Sequence, residues 1–297
     1  MTARTQNLIS KNIIRPPTFL KGSIQYEVIT GSVAYGVSNS TSDHDIAGFC
    51  IPPAYILFPH TVGIIQGFDK NYERFEQYQQ HHILYNNENY DITIYNIVKF
   101  FRLCADGNPN MVDLLFTPRR CVTFSTPIGE IVRSNRHLFL SKKCWHTYKG
   151  YAYSQLSKMK KKKKISTDQP SNRDADIKKH GYSTKFAYHL VRLLNQVEQI
   201  LTEHTLNLER NREQLKSIRR GEWVEEELQQ YFTKKESELE SVYLNSTLRH
   251  APDYERIKQV LLNCLEHYFG SIDKLVKKSR SVGGLISELK ELISKYE

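Results

Sequence analysis

Hydrophobic and polar positions follow two different patterns along the chain, and the change lies near residue 122. Before it, short β-branched and aromatic runs are separated by glycine, proline and asparagine, which is typical of strands and turns. Beyond Phe124 the apolar positions recur at helical spacing. The pattern predicts an α+β protein, with a small mixed sheet and flanking helices over residues 1–122 and an all-helical unit over residues 123–297.

The first unit is predicted to contain four strands, over residues 26–29, 43–51, 82–85 and 90–93. Residues 1–22 are polar and predict a short lead-in, and a Gly31-Ser32 break with a short helix separates the first two strands. The fourth strand continues into an amphipathic helix. Asn108 is a predicted N-cap, with Pro109 as the first residue of the helix that follows.

The second unit is predicted to be built from six helices, over residues 126–138, 145–159, 183–203, 222–244, 253–268 and 282–296. Between two of them, residues 158–164 carry six lysines, and a polar stretch continues to Lys179. Such a run predicts a basic loop of about twenty residues, at about 158–180.

Charge and cysteine content narrow the class of protein. Lys and Arg total 42 against 32 for Asp and Glu, and the net charge of +10 favours a polyanionic partner such as nucleic acid or nucleotide. The five cysteines form no CxxC pair for zinc and are expected to be reduced and mostly buried. No apolar run is long enough for a membrane span or a signal peptide, so we expect a cytoplasmic protein without a membrane partner.

The strongest candidate for chemistry is the pair Asp43 and Asp45 at the start of the second strand. Alternate residues of a strand point to one face, so both carboxylates project together while His44 points away. Two adjacent carboxylates are costly unless a cation lies between them, and Mg²⁺ prefers carboxylates together with nucleotide phosphates. Acidic pairs in turns are commonly just solvated; here the pair follows Gly31-Ser32, whose N–H groups and hydroxyl suit a triphosphate.

These residues resemble the signature of the DNA polymerase β nucleotidyltransferase superfamily. More narrowly, the segments 31–36, 42–48 and 52–53 resemble RlaP-type nucleotidyltransferases, which are associated with RNA repair and RNA ligases. Two later stretches, Asp91 through Asn110 and Gly181 through Leu193, resemble the same family. The likeness spans about residues 26–225 and implies a polymerase β-like core followed by a helical domain.

The resemblance also implies a metal site. By this resemblance, Asp43 and Asp45 would contact two metal ions, Mg²⁺ or alternatively Mn²⁺. A third carboxylate on a neighbouring strand would complete the site. Asp91 is the matching position, with Glu88 as the reserve. By itself, Asp91 also fits an exposed carboxylate at a strand end.

Basic residues supply candidate contacts to both substrates. Lys185, His189 and Arg192 share one helix face with Gln196 and are predicted to bind the triphosphate, although a polar stripe is by default a solvated face. The predicted nucleic-acid contacts are the lysines Lys160, Lys161, Lys162, Lys163 and Lys164. These lysines also fit a loop that only solvates itself.

Tyrosines near the lysines predict base stacking, with packing as the alternative; they are Tyr151, Tyr153 and Tyr182. His81-His82 lacks a third metal ligand nearby and is interpreted as structural or exposed.

The leading hypothesis is a metal-dependent nucleotidyltransferase that adds NMP from an NTP to an RNA 3′-hydroxyl, of tRNA or another RNA end, with release of pyrophosphate. A functional association with an RNA ligase is part of that expectation. One alternative is nucleotidylation of a protein or small-molecule hydroxyl, because the metal site recognises the triphosphate and not the acceptor. A second alternative is a non-catalytic RNA-binding protein.

Overall fold

A five-stranded mixed sheet forms the first part of the chain. The computed structural model describes residues 2–38, 43–65, 74–161 and 172–271, with residues 289 and 293. The strands are β1 (Ile24–Ile29), β2 (His44–Cys50), β3 (Gln77–Tyr85), β4 (Glu88–Asn96) and β5 (Val122–Ser125). Their order is β3-β4-β2-β1-β5, and β2 with β4 is the parallel pair. The predicted α+β class is confirmed.

Thirteen α-helices accompany these strands in the described ranges. They are α1 (Arg4–Ser10), α2 (Leu20–Ser23), α3 (Gly31–Ala34), α4 (Ala54–Leu57), α5 (Ile97–Ala105), α6 (Pro109–Phe116), α7 (Pro127–Ser134), α8 (Lys143–Lys161), α9 (Asn172–His180), α10 (Thr184–Glu203), α11 (Arg212–Arg219), α12 (Glu225–Asn245) and α13 (Tyr254–Phe269). Short 3₁₀ turns lie at Pro59–Val62, Arg119–Cys121 and Arg136–Phe139.

The two faces of the sheet bury different clusters. On one face Ala47 and Phe49 of β2 join a large core with α5 to α8 and α10. On the other face Ile46 and Cys50 of β2 pack with β4 residues and with Leu8 of α1. Because successive strand residues alternate between faces, this division determines where each polar residue of β2 and β4 points.

The N-terminal segment corrects the prediction of a plain lead-in. It forms α1, whose Leu8 is buried against the sheet, and the backbone N–H groups of Arg4 and Thr5 donate to the carboxylate of buried Glu27 at 2.7 and 3.0 Å. The Glu27 carboxylate on β1 thus accepts hydrogen bonds from the first turn of α1. Because these partners are 22 or more residues apart, no local sequence pattern predicts the contact.

The basic loop predicted at 158–180 is also shorter than expected. α8 continues through Lys161 because Met159 inserts its side chain into the core, and α9 occupies Asn172–His180. Residues 162–171 lie outside the described residues, as does most of the helix predicted over 282–296.

The predicted division near residue 122 falls at the first residue of β5, which pairs with β1. The larger core contains residues from both sides of this position, for example Phe49 and Leu190. The division into two units therefore stays a prediction.

All five cysteines are buried and free, as expected for reduced thiols. None of the helices in the described ranges combines the length and apolarity that crossing a bilayer requires.

Candidate active site

The parallel pairing of β2 with β4 brings two carboxylates side by side. Asp45 is the register partner of Asp91, so both side chains leave the sheet on the same face. They line a cavity of about 280 Å³ together with Gly31, His81 and Tyr95. The sequence placed Asp43 and Asp45 next to each other; the register adds Asp91, 46 positions away from Asp45.

Gly31 allows the chain to pass very close to Asp45. It has a φ of +64°, and a Cβ built on it would lie 2.1 Å from Oδ2 of Asp45. Only glycine combines this left-handed backbone with such an approach. The Gly31-Ser32 turn thus forms one wall of the cavity and begins α3, where the break after β1 was predicted.

Asp45 is held in an environment that disfavours its charge. Burial, together with the charges of the Asp91 and Asp43 carboxylates, raises its pKa from 3.8 to about 6, while Lys185 and His81 act in the opposite direction. Repulsion between neighbouring carboxylates is relieved when a cation binds among them. A carboxylate in this environment is therefore well suited to bind a cation.

Asp91 is oriented by an irregularity in β3. The pairing of β3 with β4 shifts between Gln80 and Ile83, and His82 adopts a φ of +55°. As a result the His82 backbone N–H donates to Oδ1 of Asp91 at 2.8 Å, and Nδ1 of His81 lies 3.1 Å from Oδ2. Bulges commonly re-aim side chains in this way. The sequence predicted no role for His81 in the site; the signal that could have found it is the His81-His82 pair, one strand away from Asp91.

The other two acidic candidates occupy different places. Asp43 is exposed and directly precedes β2, close enough for its charge to raise the pKa of Asp45. Glu88 lies on the opposite face of β4, where its carboxylate is 3.5 Å from Nε2 of His44 and accepts from the Tyr90 hydroxyl. Of the two alternatives for the third carboxylate, Asp91 is therefore the one that shares the cavity with Asp45.

The donor set fits Mg²⁺ bound with a nucleotide. Within the described residues, no group of three or more His, Cys, Asp and Glu side chains is arranged to hold a metal alone. Mg²⁺ is usually held by one or two carboxylates together with substrate phosphates and water, so a complete protein cage is not required. Asp45 and Asp91 supply two carboxylates to the cavity, and Asp43 lies close enough for its charge to act on Asp45.

The helix α10 presents its first turn to this acidic pair. Lys185 is exposed, and its charge lowers the pKa of Asp45 against the effect of burial. One turn later, the ring of half-buried His189 lies 4.1 Å from that of Tyr188, centre to centre. The structure thus brings Gly31 and the charge of Lys185 close to Asp45, while no contact joins Ser32 to the acidic pair among the described residues.

Arg192, two turns along α10, departs from its predicted place as a triphosphate ligand. Its side chain is buried and forms an ion pair with Asp113, which is fully buried. Nε2 of Gln196 donates to the same carboxylate at 3.1 Å, and the Tyr35 hydroxyl donates to it at 2.6 Å. Because Asp113 neutralises the guanidinium charge inside the protein, Arg192 is not available to bind a triphosphate. Of the predicted basic face of α10, Lys185 and His189 stay as candidates.

The residues predicted to contact nucleic acid differ in their exposure. Tyr182 is buried, with its hydroxyl donating to the carbonyl of Trp223 at 2.6 Å, so it packs and does not stack bases. Tyr151 and Tyr153 are exposed on α8, and Lys160 is exposed near its end. Lys161 is the last residue of α8, and Lys162, Lys163 and Lys164 lie outside the described residues.

Comparison with known proteins identifies the family. Residues 6–283 match the RlaP family, described as an RNA repair pathway DNA polymerase beta family. The chain belongs to this family. The RlaP match confirms the resemblance drawn from Gly31-Ser32 and Asp43-X-Asp45, and it assigns the chain to a DNA polymerase β family of the RNA repair pathway.

Two individual proteins resemble this RlaP chain. An uncharacterized 38.9 kDa protein from the nrdC-mobD intergenic region of Enterobacteria phage T4 is 30% identical over 130 residues, which is 43% of this chain and 36% of the phage protein. The match therefore spans only about a third of that relative's length. A nucleotidyltransferase-like protein from Exiguobacterium sibiricum has a TM-score of 0.30 and 10% identity, covering 98% of this chain and 89% of that one.

Proposed function

We propose that this chain is a Mg²⁺-dependent nucleotidyltransferase that adds a nucleotide from an NTP to the 3′-hydroxyl of an RNA, such as a tRNA or another damaged or incomplete end. The observation that carries the proposal is the pairing of Asp45 with Asp91 opposite the Gly31-Ser32 turn. Two carboxylates facing a glycine turn suit a metal-bound triphosphate better than any neutral substrate.

In this reaction the RNA 3′-oxygen attacks the α-phosphorus, the bond from that phosphorus to the bridging oxygen of the β-phosphate breaks, and pyrophosphate leaves. Asp43, Asp45 and Asp91 are the groups that would hold two Mg²⁺ ions. Mg²⁺ held there would lower the pKa of the attacking hydroxyl, whose proton passes to water, and would offset charge on the phosphates. Gly31 lets the turn approach the Asp45 carboxylate closely, and Lys185 would provide a point charge for the phosphates.

An RNA acceptor is supported by the family description and by the net charge of +10. The exposed Tyr153 and Lys160 lie seven residues apart on α8 and share a face, where a single strand could contact a ring and a charge. An RNA ligase would be a natural functional associate, because a restored 3′-hydroxyl end is what a ligase joins.

The test incubates the purified chain with Mg²⁺ and each labelled NTP, with either tRNA or a mixture of proteins as acceptor. Label on RNA supports the proposal. Label on protein would establish the nucleotidylation alternative, and no transfer from any NTP to either acceptor would leave a non-catalytic RNA-binding protein.

Carboxylate variants then test the site assignment. Asp43→Ala and Asp91→Asn are expected to abolish transfer while RNA binding is retained, because they remove metal ligands and not RNA contacts. Glu88→Gln is the matched control: it makes the same carboxylate-to-amide change on β4 but on the opposite face. Transfer by Asp91→Asn at the wild-type rate, or loss of transfer in Glu88→Gln alone, would contradict the assignment.

A further inference from the structure

The cavity that contains Asp45 and Asp91 extends along the sheet beyond these two carboxylates. Asp91, Thr93 and Tyr95 alternate along β4, so their side chains leave the sheet on one face, and all three line the cavity. At a rise of about 3.3 Å per residue, about 13 Å of strand separates Asp91 from Tyr95. A ligand held at the carboxylates can therefore continue along β4 towards Tyr95.

The rest of the cavity wall is neutral. The helix α6 contributes Asn110, Met111 and Leu114, and β2 contributes Ala47 next to Asp45. No Lys or Arg lines the cavity among the described residues, and its carboxylates are those of Asp45 and Asp91. Apolar walls with a few polar groups are typical of sites for uncharged, flat parts of a ligand. Beyond the carboxylates, the cavity thus suits such a group better than it suits a phosphate.

Three polar side chains of this wall, those of Thr93, Tyr95 and Asn110, form no hydrogen bond with another described residue. Asn110 uses its backbone N–H, which donates to Oδ1 of Asn108 at 3.1 Å, and its side-chain amide stays exposed. The hydroxyl of Tyr35, in contrast, donates to Asp113 at 2.6 Å and is not available to a ligand. Half-buried polar groups without a protein partner are satisfied by water or by a ligand.

The chemistry of these groups fits a nucleobase. The half-buried ring of Tyr95 has no ring partner among the described residues and offers a flat surface on which a base can stack. Burial raises the pKa of the Tyr95 hydroxyl, so this group stays protonated and can donate. The Asn110 amide supplies a donor and an acceptor together, the combination that pairs with the edge of a base.

We propose that the base of the incoming NTP binds in this neutral part of the cavity, with the ring of Tyr95 stacked on the base and the Asn110 amide hydrogen-bonded to its edge. This inference rests on the proposed function and adds to it the residues that select the nucleotide. Asp45 and Asp91 would hold the metal-bound phosphates, so one nucleotide spans the cavity from the acidic pair to Tyr95.

Titration calorimetry in Mg²⁺ without RNA tests the role of Tyr95. The probes are non-hydrolysable analogues of the four NTPs and inorganic tripolyphosphate, which lacks a base. Tyr95→Leu is expected to weaken binding of the preferred analogue about 10- to 100-fold, the effect of losing a stacked ring, and Tyr95→Phe should keep most of the affinity. Tripolyphosphate should bind both variants as it binds the wild type, which also shows that they are folded.

The matched control for the ring is Tyr78→Leu. Tyr78 is a half-buried strand tyrosine on β3, but it packs against the cluster on the opposite face of the sheet. This variant should bind every probe as the wild type does. An equal loss in Tyr78→Leu would show that the effect of Tyr95→Leu is a general effect on the sheet and would overturn the role of Tyr95.

Asn110→Ala tests the recognition of the base edge. It should weaken binding of the preferred analogue about 10-fold, as expected for the loss of one or two hydrogen bonds, and narrow the differences among the four analogues. The cap of α6 should persist, because it uses the backbone N–H of Asn110. Asn7→Ala makes the same change at an exposed position of α1, on the other face of the sheet, and should alter neither the affinity nor the differences.

The remaining outcomes separate this inference from the proposed function. Equal losses of analogue and tripolyphosphate binding in Tyr95→Leu would assign the ring to the phosphates and overturn the base site. Unchanged analogue binding in Tyr95→Leu, with weaker binding of RNA, would assign the ring to the RNA end, which overturns the inference and leaves the proposed function intact. A wild-type chain that binds neither an NTP analogue nor tripolyphosphate would overturn both.

Discussion

The ionised carboxylate of Asp45, buried beside other carboxylates, lowers the stability of the fold at neutral pH. Its ordinary pKa is 3.8, and burial with neighbouring carboxylates raises it to about 6. The folded state therefore binds a proton more tightly than the unfolded state between about pH 4 and pH 6. Stability falls as the pH rises through this interval, and the cost is fully present at neutral pH.

Replacement of Asp45 by Asn should consequently stabilise the metal-free protein. The pKa of Asp45 differs between about 6 in the folded state and 3.8 in the unfolded state, and each pKa unit corresponds to about 1.4 kcal/mol. The free energy of unfolding at pH 7.5 should therefore rise by at most about 3 kcal/mol. The gain should shrink below pH 6 and be largely lost near pH 4, where the wild-type carboxyl is protonated in the folded state and about half protonated in the unfolded state. Urea unfolding at both pH values measures it, without Mg²⁺.

Two further measurements complete this prediction. Asp106→Asn, at an exposed carboxylate paired with Lys143, is the control and should give no gain at either pH. Added Mg²⁺ should raise the unfolding midpoint of the wild type more than that of Asp45→Asn. A gain that persists undiminished at pH 4 would disprove the electrostatic explanation.

At the scale of the element, α10 separates its polar residues into two roles. Lys185 in the first turn faces the acidic cavity, whereas Arg192 and Gln196 turn into the core and satisfy Asp113 of α6. Tyr35, just after α3, donates to the same carboxylate, so this cluster ties α3 to both helices. The ion pair therefore supports the turn that forms the wall of the cavity.

The spacing on α10 was readable from the sequence, but the partner was not. Residues at intervals of 4, 3 and 4 do share a face, as predicted. What decides whether that face is solvated, basic or buried is Asp113, 79 positions before Arg192, and no local pattern reports it.

Local features such as the Asn108 cap were predicted correctly because their hydrogen bonds, to Asn110 and Met111, lie within three residues. β5 was missed because it lies directly before the helical pattern and pairs with β1, far earlier in the chain.

Removing one partner of the buried pair should destabilise the protein strongly. Asp113→Ala leaves the Arg192 charge buried and unpaired, and we expect a loss of about 3–5 kcal/mol in the free energy of unfolding. The double variant Asp113→Ala/Arg192→Met removes both charges and should lose less than Asp113→Ala alone. Chemical denaturation of the single and double variants measures the coupling. Equal losses in the two variants would show that the charge pair is not what stabilises this cluster.

At the scale of the whole molecule, acidic and basic residues are separated around one cavity. The sheet contributes Asp45 and Asp91 to the cavity, and Lys185 at the start of α10 contributes a positive charge that acts on Asp45. The sequence predicted the fold class and the acidic half, because the motif is compact and strand alternation is regular. It did not predict the basic half as built, since the partner that buries Arg192 lies on α6.

The proposed RNA acceptor is a polyanion, and the net charge of +10 would attract it. The contribution of individual lysines can be measured at the end of α8. Lys158 and Lys160 are exposed on α8, on either side of buried Met159. Each lysine that neutralises a phosphate of a single strand adds about 0.7 to the slope of log affinity against log salt. The double variant Lys158→Gln/Lys160→Gln should therefore lower that slope by about 1.4 in RNA binding titrations.

The control carries the same change in charge elsewhere. Lys234→Gln/Lys258→Gln removes two exposed lysines from α12 and α13 and should leave the slope unchanged, because long-range effects of surface charges are screened at physiological salt. Circular dichroism should show that α8 keeps its helical structure in the test variant, since Met159 and the core contact it makes are untouched. An equal fall of the slope in both variants would mean that the RNA responds to total charge and not to the lysines of α8.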